Sequence, residues 1–179
     1  MIPDRARCLE LMAEEGMPPH IRAHSEQVAK VALAIGKALN SVGETVDLAL
    51  IEAGALLHDI RKIHSINDGG NHARQGADFV TSIGFAELAP LVLRHVNLGE
   101  WDSKGRVDEA EIINYADKRV RHEEIVSLEE RFVDLLDRYG VCEGSKKRIL
   151  NLREEMDMLE AKIFANLPFS PEEVEPGRL

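Results

Sequence analysis

The stretch Leu56–Lys62 reads LLHDIRK, and it ends a segment whose apolar residues recur at helical spacing. His58 follows Ala55 by three residues and Ile51 by seven, so its imidazole lies on the apolar face of the predicted helix. Asp59 comes directly after it. Because unpaired polar groups are costly to bury, this histidine and carboxylate need partners inside the protein. The stretch therefore predicts a helix that delivers a polar pair to the core.

Helical spacing of apolar residues continues along most of the chain, whereas β-branched residues rarely alternate with polar ones. Aromatic residues make up only 4% of the 179 residues, which also favours helices over a sheet. We therefore predict an all-α fold. The predicted helices cover residues 4–15, 20–42, 44–60, 71–83, 87–97, 108–121, 123–139 and 145–167, with loops at 62–70 and 98–106.

The last two predicted helices carry apolar residues at alternating spacings of three and four, as in Phe132, Leu135 and Tyr139. This pattern predicts an antiparallel helical hairpin that packs on the rest of the chain or on a partner copy, which leaves a homodimer open. A packing seam is favoured here over a cofactor site. We divide the chain into a helical core at residues 1–125, a C-terminal helical hairpin at 126–167 and a flexible tail at 168–179.

The net charge of −10 gives the protein a field that repels polyanions, so we expect no polymeric nucleic acid as a partner. A small anionic substrate could still enter a pocket that holds a metal.

Cys8 and Cys142 are far apart and lie outside any C-x-x-C pattern, which indicates neither a disulfide framework nor a cysteine zinc site. We find no signal-peptide pattern and no apolar run long enough for a membrane span, and expect a cytoplasmic protein without membrane contact.

Histidines and aspartates fall on the inward faces of five predicted helices. These inward residues are His24, His58, Asp59, His72, His95 and Asp117. A single inward histidine is most often hydrogen-bonded within the core, but four histidines and two aspartates are hard to satisfy separately. Imidazole and carboxylate are ligands for divalent Fe, Mn, Zn or Ni, and Mg is not distinguished from these. The pattern therefore predicts a shared site for one or two divalent metal ions.

The order His24, then His58-Asp59, then Asp117 resembles the H…HD…D pattern of the HD-domain superfamily of metal-dependent phosphohydrolases. LLHDIRK is similar to the HD-I-G-K form of the family motif, and NYADKRV at residues 114–120 is similar to the segment that carries the last metal aspartate. The resemblance covers about residues 20–125. It implies that the core at residues 1–125 is an HD-domain helical bundle, followed by the C-terminal hairpin.

Two further histidines decide how many ions the resemblance implies. Mononuclear members use four ligands, here His24, His58, Asp59 and Asp117, whereas two-metal members insert two more histidines, matched by His72 and His95. The NHARQGA segment at residues 71–77 also resembles bacterial di-iron hydrolases that split diadenosine tetraphosphate symmetrically. The resemblance thus implies a two-metal site in which Asp59 bridges the ions, with the four-ligand site as the alternative.

By this resemblance we expect a phosphohydrolase in which a metal-activated water attacks a small phosphorylated substrate of nucleotide type. Asp59 and Lys62 are the expected catalytic residues. Lys62 and Arg61, which replaces the family glycine, are expected to bind the substrate. The family's GYP segment of cyclic-di-GMP phosphodiesterases is missing, so that activity is disfavoured. The alternative is a regulatory or structural HD domain that binds metal and dimerises without significant catalysis.

Several other residues stay open between a surface or structural role and a contact to the substrate. They are His20, His64, Arg94, Trp101, Arg119 and His122.

Overall fold

The first two helices begin at the positions where the sequence offers a start signal. The computed structural model describes residues 1–174. Helix α1 (Arg5–Glu14) is capped by Asp4, whose side chain accepts a hydrogen bond from the Arg7 backbone amide at 2.8 Å. Helix α2 (Pro19–Ser41) begins with proline, which suits the first helical position because the amide there needs no partner.

Helix α3 (Leu48–Leu57) lies at the centre of the fold and is capped by the Asp47 side chain. Gly54 lets its neighbours approach closely, since a Cβ atom there would lie 2.6 Å from Leu91 Cδ2 and 2.7 Å from Ile113 Cδ1. The helix therefore packs deep among its neighbours, and its last turn carries the HD pair into the middle of the protein.

The remaining elements complete an all-helical bundle with one small hairpin, as predicted for the fold class. They are α4 (Lys62–Asp68), α5 (His72–Ser82), α6 (Ala89–Arg94), α7 (Glu109–Lys118), β1 (Val120–Arg121), β2 (Glu124–Ile125), α8 (Leu128–Tyr139) and α9 (Glu143–Phe164), with 3-10 turns at Ala86–Leu88 and Pro171–Glu173. In the described part of the chain, no helix is both long and apolar enough to cross a membrane.

The predicted loop at residues 62–70 is wrong, because α4 occupies most of it. The asparagine, aspartate and glycines that suggested a loop mark the end of this short helix instead. Gly69 adopts a left-handed conformation with φ of 73°, as glycine commonly does just after a helix. The prediction failed because a helix of seven residues is too short for a clear periodic pattern.

A second correction concerns residues 119–127, which we predicted to lie mostly in helices. β1 and β2 instead pair antiparallel, with Val120 opposite Ile125 and Arg121 opposite Glu124. The two-residue turn between them contains His122 at φ of 57°, a conformation that favours glycine. Helix α8 starts only after Ser127, which forms a reciprocal capping box with Glu130.

The C-terminal helix α9 is attached to the core by polar and apolar contacts. Lys162 Nζ lies 2.7 Å from both carboxylate oxygens of Glu111 on α7, and both side chains are almost fully buried. The rings of Tyr115 and Phe164 pack edge to face at 5.8 Å. These contacts hold α9 against α7, the helix that carries the predicted ligand Asp117.

The expectation of a flexible tail from residue 168 also differs from the structure. Val174 is buried, and the Arg119 guanidinium donates a hydrogen bond to the Pro171 carbonyl at 3.0 Å. The segment up to Val174 therefore packs on the core. Residues 175–179, the rest of the predicted tail, lie outside the described residues.

Candidate metal centre

The end of α3 fixes the orientation of His58 and Asp59. His58 is fully buried, and its Nδ1–H donates a 2.7 Å hydrogen bond to the Ala55 carbonyl. Its Nε2 therefore points to the carboxylates, 3.4 Å from Asp59 Oδ2 and 3.6 Å from Asp117 Oδ1. A backbone carbonyl that holds one imidazole nitrogen leaves the other free to bind a metal.

His24 on α2 and Asp117 on α7 complete this first group. His24 Nε2 lies 3.0 Å from Asp117 Oδ1, and its Nδ1 lies 3.0 Å from the His122 carbonyl oxygen. The same arrangement thus recurs: a backbone carbonyl holds one nitrogen and the other faces the carboxylates. The β1–β2 turn, missed in the sequence, supplies that carbonyl.

A second group forms on the other oxygen of Asp59. His72 Nε2 lies 3.5 Å and His95 Nε2 lies 3.6 Å from Asp59 Oδ1, and the two histidine nitrogens are 3.1 Å apart. His95 donates from Nδ1 to the Val92 carbonyl, again fixing Nε2 toward the group. The six predicted ligands therefore meet in one place, with Asp59 between the two groups.

The chemistry of these donors fits divalent metal ions. His24, His58 and Asp59 offer ligand atoms within 4.8 Å of one another, and so do Asp59, His72 and His95. Among residues 1–174, His58 Nε2 and Asp59 Oδ1 are buried without a hydrogen-bond partner. Buried polar atoms are rarely left unpaired, and imidazole and carboxylate together suit divalent transition metals. The two groups could hold one ion each.

The charges in the cluster act differently on its donors. Although burial would lower the pKa of His58, the Asp59 charge raises it overall. Burial opposes ionisation of Asp59, yet the neighbouring His58 and His95 hold its pKa well below the usual range. Burial lowers the pKa of His72 to about 4 and also lowers that of His95. Both imidazoles of the second group are therefore neutral near pH 7, as metal coordination requires.

Two lysines border the cluster. Lys62 Nζ lies 2.7 Å from Asp59 Oδ2, and although burial would lower the pKa of Lys62, the Asp59 charge raises it overall. Lys118 Nζ lies 3.1 Å from Asp117 Oδ2 and also donates to the His95 carbonyl. Lys62 was predicted at the site, whereas Lys118 was not.

These groups lie at a cavity of about 540 Å³ that includes residues from the C-terminal hairpin. Its lining includes the ligands His24, Asp59, His72, His95 and Asp117, the polar residues His20, Lys62, Lys118, His122, Arg131 and Arg138, and the apolar residues Ile63, Ile66, Leu135, Tyr139 and Leu152. Sequence reasoning missed Arg131 and Arg138, although their separation of seven residues places them on one face of α8.

Arg61, expected to bind substrate, points away from this cavity. Its guanidinium pairs with Glu15 at 2.8 Å and stacks over the Phe79 ring at 4.1 Å. Together with His64 it lines a separate shallow groove. Arg61 lines this groove rather than the cavity, so the structure gives no support to its expected role in substrate binding.

The remaining open residues divide between structure and site. Arg119 is buried and donates to the Tyr115 hydroxyl and the Val126 carbonyl, and Arg94 pairs with Asp108 at 3.0 Å. Trp101 packs against the core beneath Lys162. These three have structural roles. His20 and His122 are exposed and also line the cavity.

Comparison with known proteins gives archaeal relatives. A tRNA (cytidine(56)-2'-O)-methyltransferase of Thermoplasma volcanium is 34% identical over 100 residues, covering 55% of this chain and 28% of that protein. A protein of the same name from Picrophilus torridus is 28% identical over 162 residues, covering 90% of this chain and 42% of that protein. The chain thus spans less than half the length of these two relatives.

An uncharacterised protein of Methanocaldococcus jannaschii is 29% identical over 164 residues, which cover 84% of this chain and 94% of that protein. No solved structure matches the chain significantly. The family model described as HD domain matches residues 21–141, more than half of the chain, and the matched region contains all six clustered ligands. The chain therefore belongs to the HD-domain family.

Proposed function

We propose that this protein is a metal-dependent phosphohydrolase that acts on a small phosphorylated substrate, with a nucleotide as the first candidate. The observation that carries the proposal is the pair of ligand groups that share Asp59 at the cavity, next to Lys62. Divalent ions held there would lower the pKa of a bound water toward neutrality and offset charge on phosphate oxygens.

The protein's own residues would position the reaction. Asp59 presents one oxygen to each ligand group, which suits the bridging role we expect of it. Lys62 keeps its ammonium charged beside that carboxylate and can donate to a phosphate oxygen in the transition state. Lys118 fixes Asp117 through the 3.1 Å contact, so we assign it a positioning role rather than a catalytic one.

The cavity supports a substrate that combines phosphate with a less polar group. Its volume of about 540 Å³ suits a small molecule, and seven apolar side chains share its lining with the charged ones. Tyr139 and Ile66 are both largely exposed, so they could contact a nucleoside. A nucleotide satisfies the polar and the apolar parts of the lining together.

The names of two relatives raise tRNA as another ligand. The net charge of −10 disfavours binding to a polyanion, and we propose that this chain does not bind polymeric nucleic acid. A gel-shift assay with total tRNA at physiological salt tests this point. Retention of tRNA at micromolar protein would instead favour a role on RNA.

The decisive experiment screens metal-loaded protein against mononucleotides, dinucleotides and dinucleoside polyphosphates, with phosphate release as the readout. We expect Asp59→Ala to lose both metal and hydrolysis, because it removes a donor from each group. Lys62→Ala should retain metal and lose about 10²-fold or more in turnover. His64→Ala serves as the matched control, since His64 lies outside the cavity.

Two outcomes would overturn the proposal. Normal hydrolysis by Asp59→Ala would show that the site is misassigned. Wild-type protein that binds metal and hydrolyses none of the compounds would favour the alternative, a regulatory or structural HD domain.

A further inference from the structure

Helix α8 contributes two guanidinium groups to the cavity that contains the ligand groups. Arg131 and Arg138 are separated by seven residues, or two helical turns, and both line this cavity. They come from the C-terminal hairpin, outside the H…HD…D pattern. Neither arginine has been assigned a role in the proposed reaction.

Asp134 positions both arginines without neutralising them. Its Oδ1 lies 2.8 Å from Arg138 Nε, and its Oδ2 lies 3.3 Å from Arg131 Nη1. One carboxylate shared by two guanidinium groups leaves one positive charge in excess. Arg131 Nε is also buried without a hydrogen-bond partner among the described residues. The pair therefore has donors left for an anion.

His122 places this arginine pair beside the ligand groups. Its Nε2 lies 3.1 Å from Arg138 Nη2, while its carbonyl oxygen lies 3.0 Å from Nδ1 of the ligand His24. A single residue thus separates Arg138 from the first ligand group. Arg131 in turn lines the same cavity as Lys62.

Guanidinium groups recognise phosphate through paired, charge-assisted hydrogen bonds. Lys62 and Lys118 already pair with Asp59 and Asp117, and Arg131 Nε adds a buried donor that has no partner among the described residues. A substrate phosphate at the ligand groups would occupy the same cavity as these two arginines.

We propose that Arg131 and Arg138 form a second anion-binding subsite, which takes a phosphate adjoining the one at the ligand groups. This inference rests on the proposed function and narrows its substrate class. It makes compounds with linked phosphates, such as nucleoside diphosphates and polyphosphates, better substrates than monoesters.

The test uses two inert probes and the metal-loaded chain of 179 residues. Methylenediphosphonate carries two linked phosphonates that cannot be hydrolysed, and inorganic phosphate carries only one group. Binding of each is measured by calorimetry for the wild type, Arg131→Gln, Arg138→Gln and the control Arg148→Gln, which changes an exposed arginine on α9. Metal content and melting temperature confirm that each variant is folded and loaded.

We expect Arg131→Gln and Arg138→Gln each to weaken methylenediphosphonate binding about tenfold or more, the usual effect of losing a hydrogen bond to a charged group. Phosphate binding should change less than about twofold, and Arg148→Gln should match the wild type with both probes. Unchanged methylenediphosphonate affinity in both cavity variants would overturn the subsite. An equal loss for the two probes would also overturn it, since that result indicates a general charge effect.

The subsite and the proposed function can fail separately. If the arginine variants lose methylenediphosphonate selectively while the wild type hydrolyses no phosphorylated compound, the subsite stands and hydrolysis is wrong. If the wild type hydrolyses diphosphates and the arginine variants do so with unchanged KM, hydrolysis stands and the subsite is wrong.

Discussion

The side chain of Asp59 joins the two ligand groups because its oxygens face different histidines. Oδ2 faces His58 at 3.4 Å, and Oδ1 faces His72 at 3.5 Å. The sequence predicted that His58 and Asp59 lie in the core. The apolar residues before them show which face of the helix is buried, and no other helix is needed for that prediction. The carbonyls that orient the histidines were beyond prediction, because they depend on how separate helices meet.

Removal of a histidine from the second group should change the number of ions. We predict that His72→Ala and His95→Ala each lower the metal content of purified protein from two equivalents to one, because a carboxylate and a single imidazole hold an ion poorly. Elemental analysis of the dialysed variants measures this directly. If the content does not change, the four-ligand site with one ion is the correct version.

We expect the two cysteines to differ in reactivity, because Cys8 is buried and Cys142 is exposed. Burial raises the pKa of Cys8 to about 12, whereas hydrogen bonding with Ser145 lowers the pKa of the exposed Cys142. Only the thiolate reacts, so at pH 8 we expect rapid modification of Cys142 and protection of Cys8 until the protein unfolds. A thiol titration with and without denaturant checks this, and Cys142→Ser should abolish the fast phase. Two fast thiols in native protein would contradict the buried position of α1.

Among the secondary-structure elements, the long helices were predictable because apolar periodicity accumulates over several turns. Asp4, Asp47 and Ser127 cap helices through contacts within three residues, so local sequence also sets their starts. The hairpin of β1 and β2 escaped prediction since each strand has two residues and its turn places His122 at positive φ. Segments this short are determined by packing rather than by pattern.

The attachment of α9 to α7 rests on a buried ion pair, which single substitutions can test. The side chains of Lys162 and Glu111 are only 6% and 3% exposed, so removing the lysine leaves a buried carboxylate without its partner. We predict that Lys162→Met lowers the free energy of unfolding by about 3 kcal/mol at pH 8. The control Lys146→Met, on the same helix in an exposed pair with Glu143, should cost less than about 1 kcal/mol.

The same pair predicts the direction of a pH effect. Burial already raises the pKa of Glu111 despite Lys162, and removing the lysine raises it further. A raised carboxyl pKa means that stability is lost as pH rises, so the deficit of Lys162→Met should be smaller at pH 5 than at pH 8. Urea unfolding at both values measures it, and a deficit that grows toward pH 5 would exclude this explanation.

At the scale of the whole molecule, the sequence predicted the fold class and the six converging ligands, but it did not predict the cavity. The helical bundle follows from periodicity, and the ligand set follows from which polar residues face inward. The cavity needs α8 to lie over the ligand groups, and that placement depends on contacts far apart in sequence, such as Glu111 with Lys162. Arg131 and Arg138 therefore emerged only from the structure.

The excess of acidic residues is compatible with a phosphate substrate when the positions of the charged side chains are considered. Asp59 and Asp117 lie in the ligand groups, where bound cations would offset their charge. Lys62, Lys118, Arg131 and Arg138 share the cavity with them. The net charge of −10 is a sum over the whole chain, whereas the cavity combines metal ligands with cationic side chains.

The proposed function requires that the shared ligand groups hold metal and that this metal supports hydrolysis. The most direct measurement strips the protein of metal and follows phosphate release during titration with a divalent ion such as Mn²⁺. We expect no turnover in stripped protein and turnover that rises to a plateau at two equivalents per chain. Full turnover in stripped protein, or none when two equivalents are bound, would contradict it.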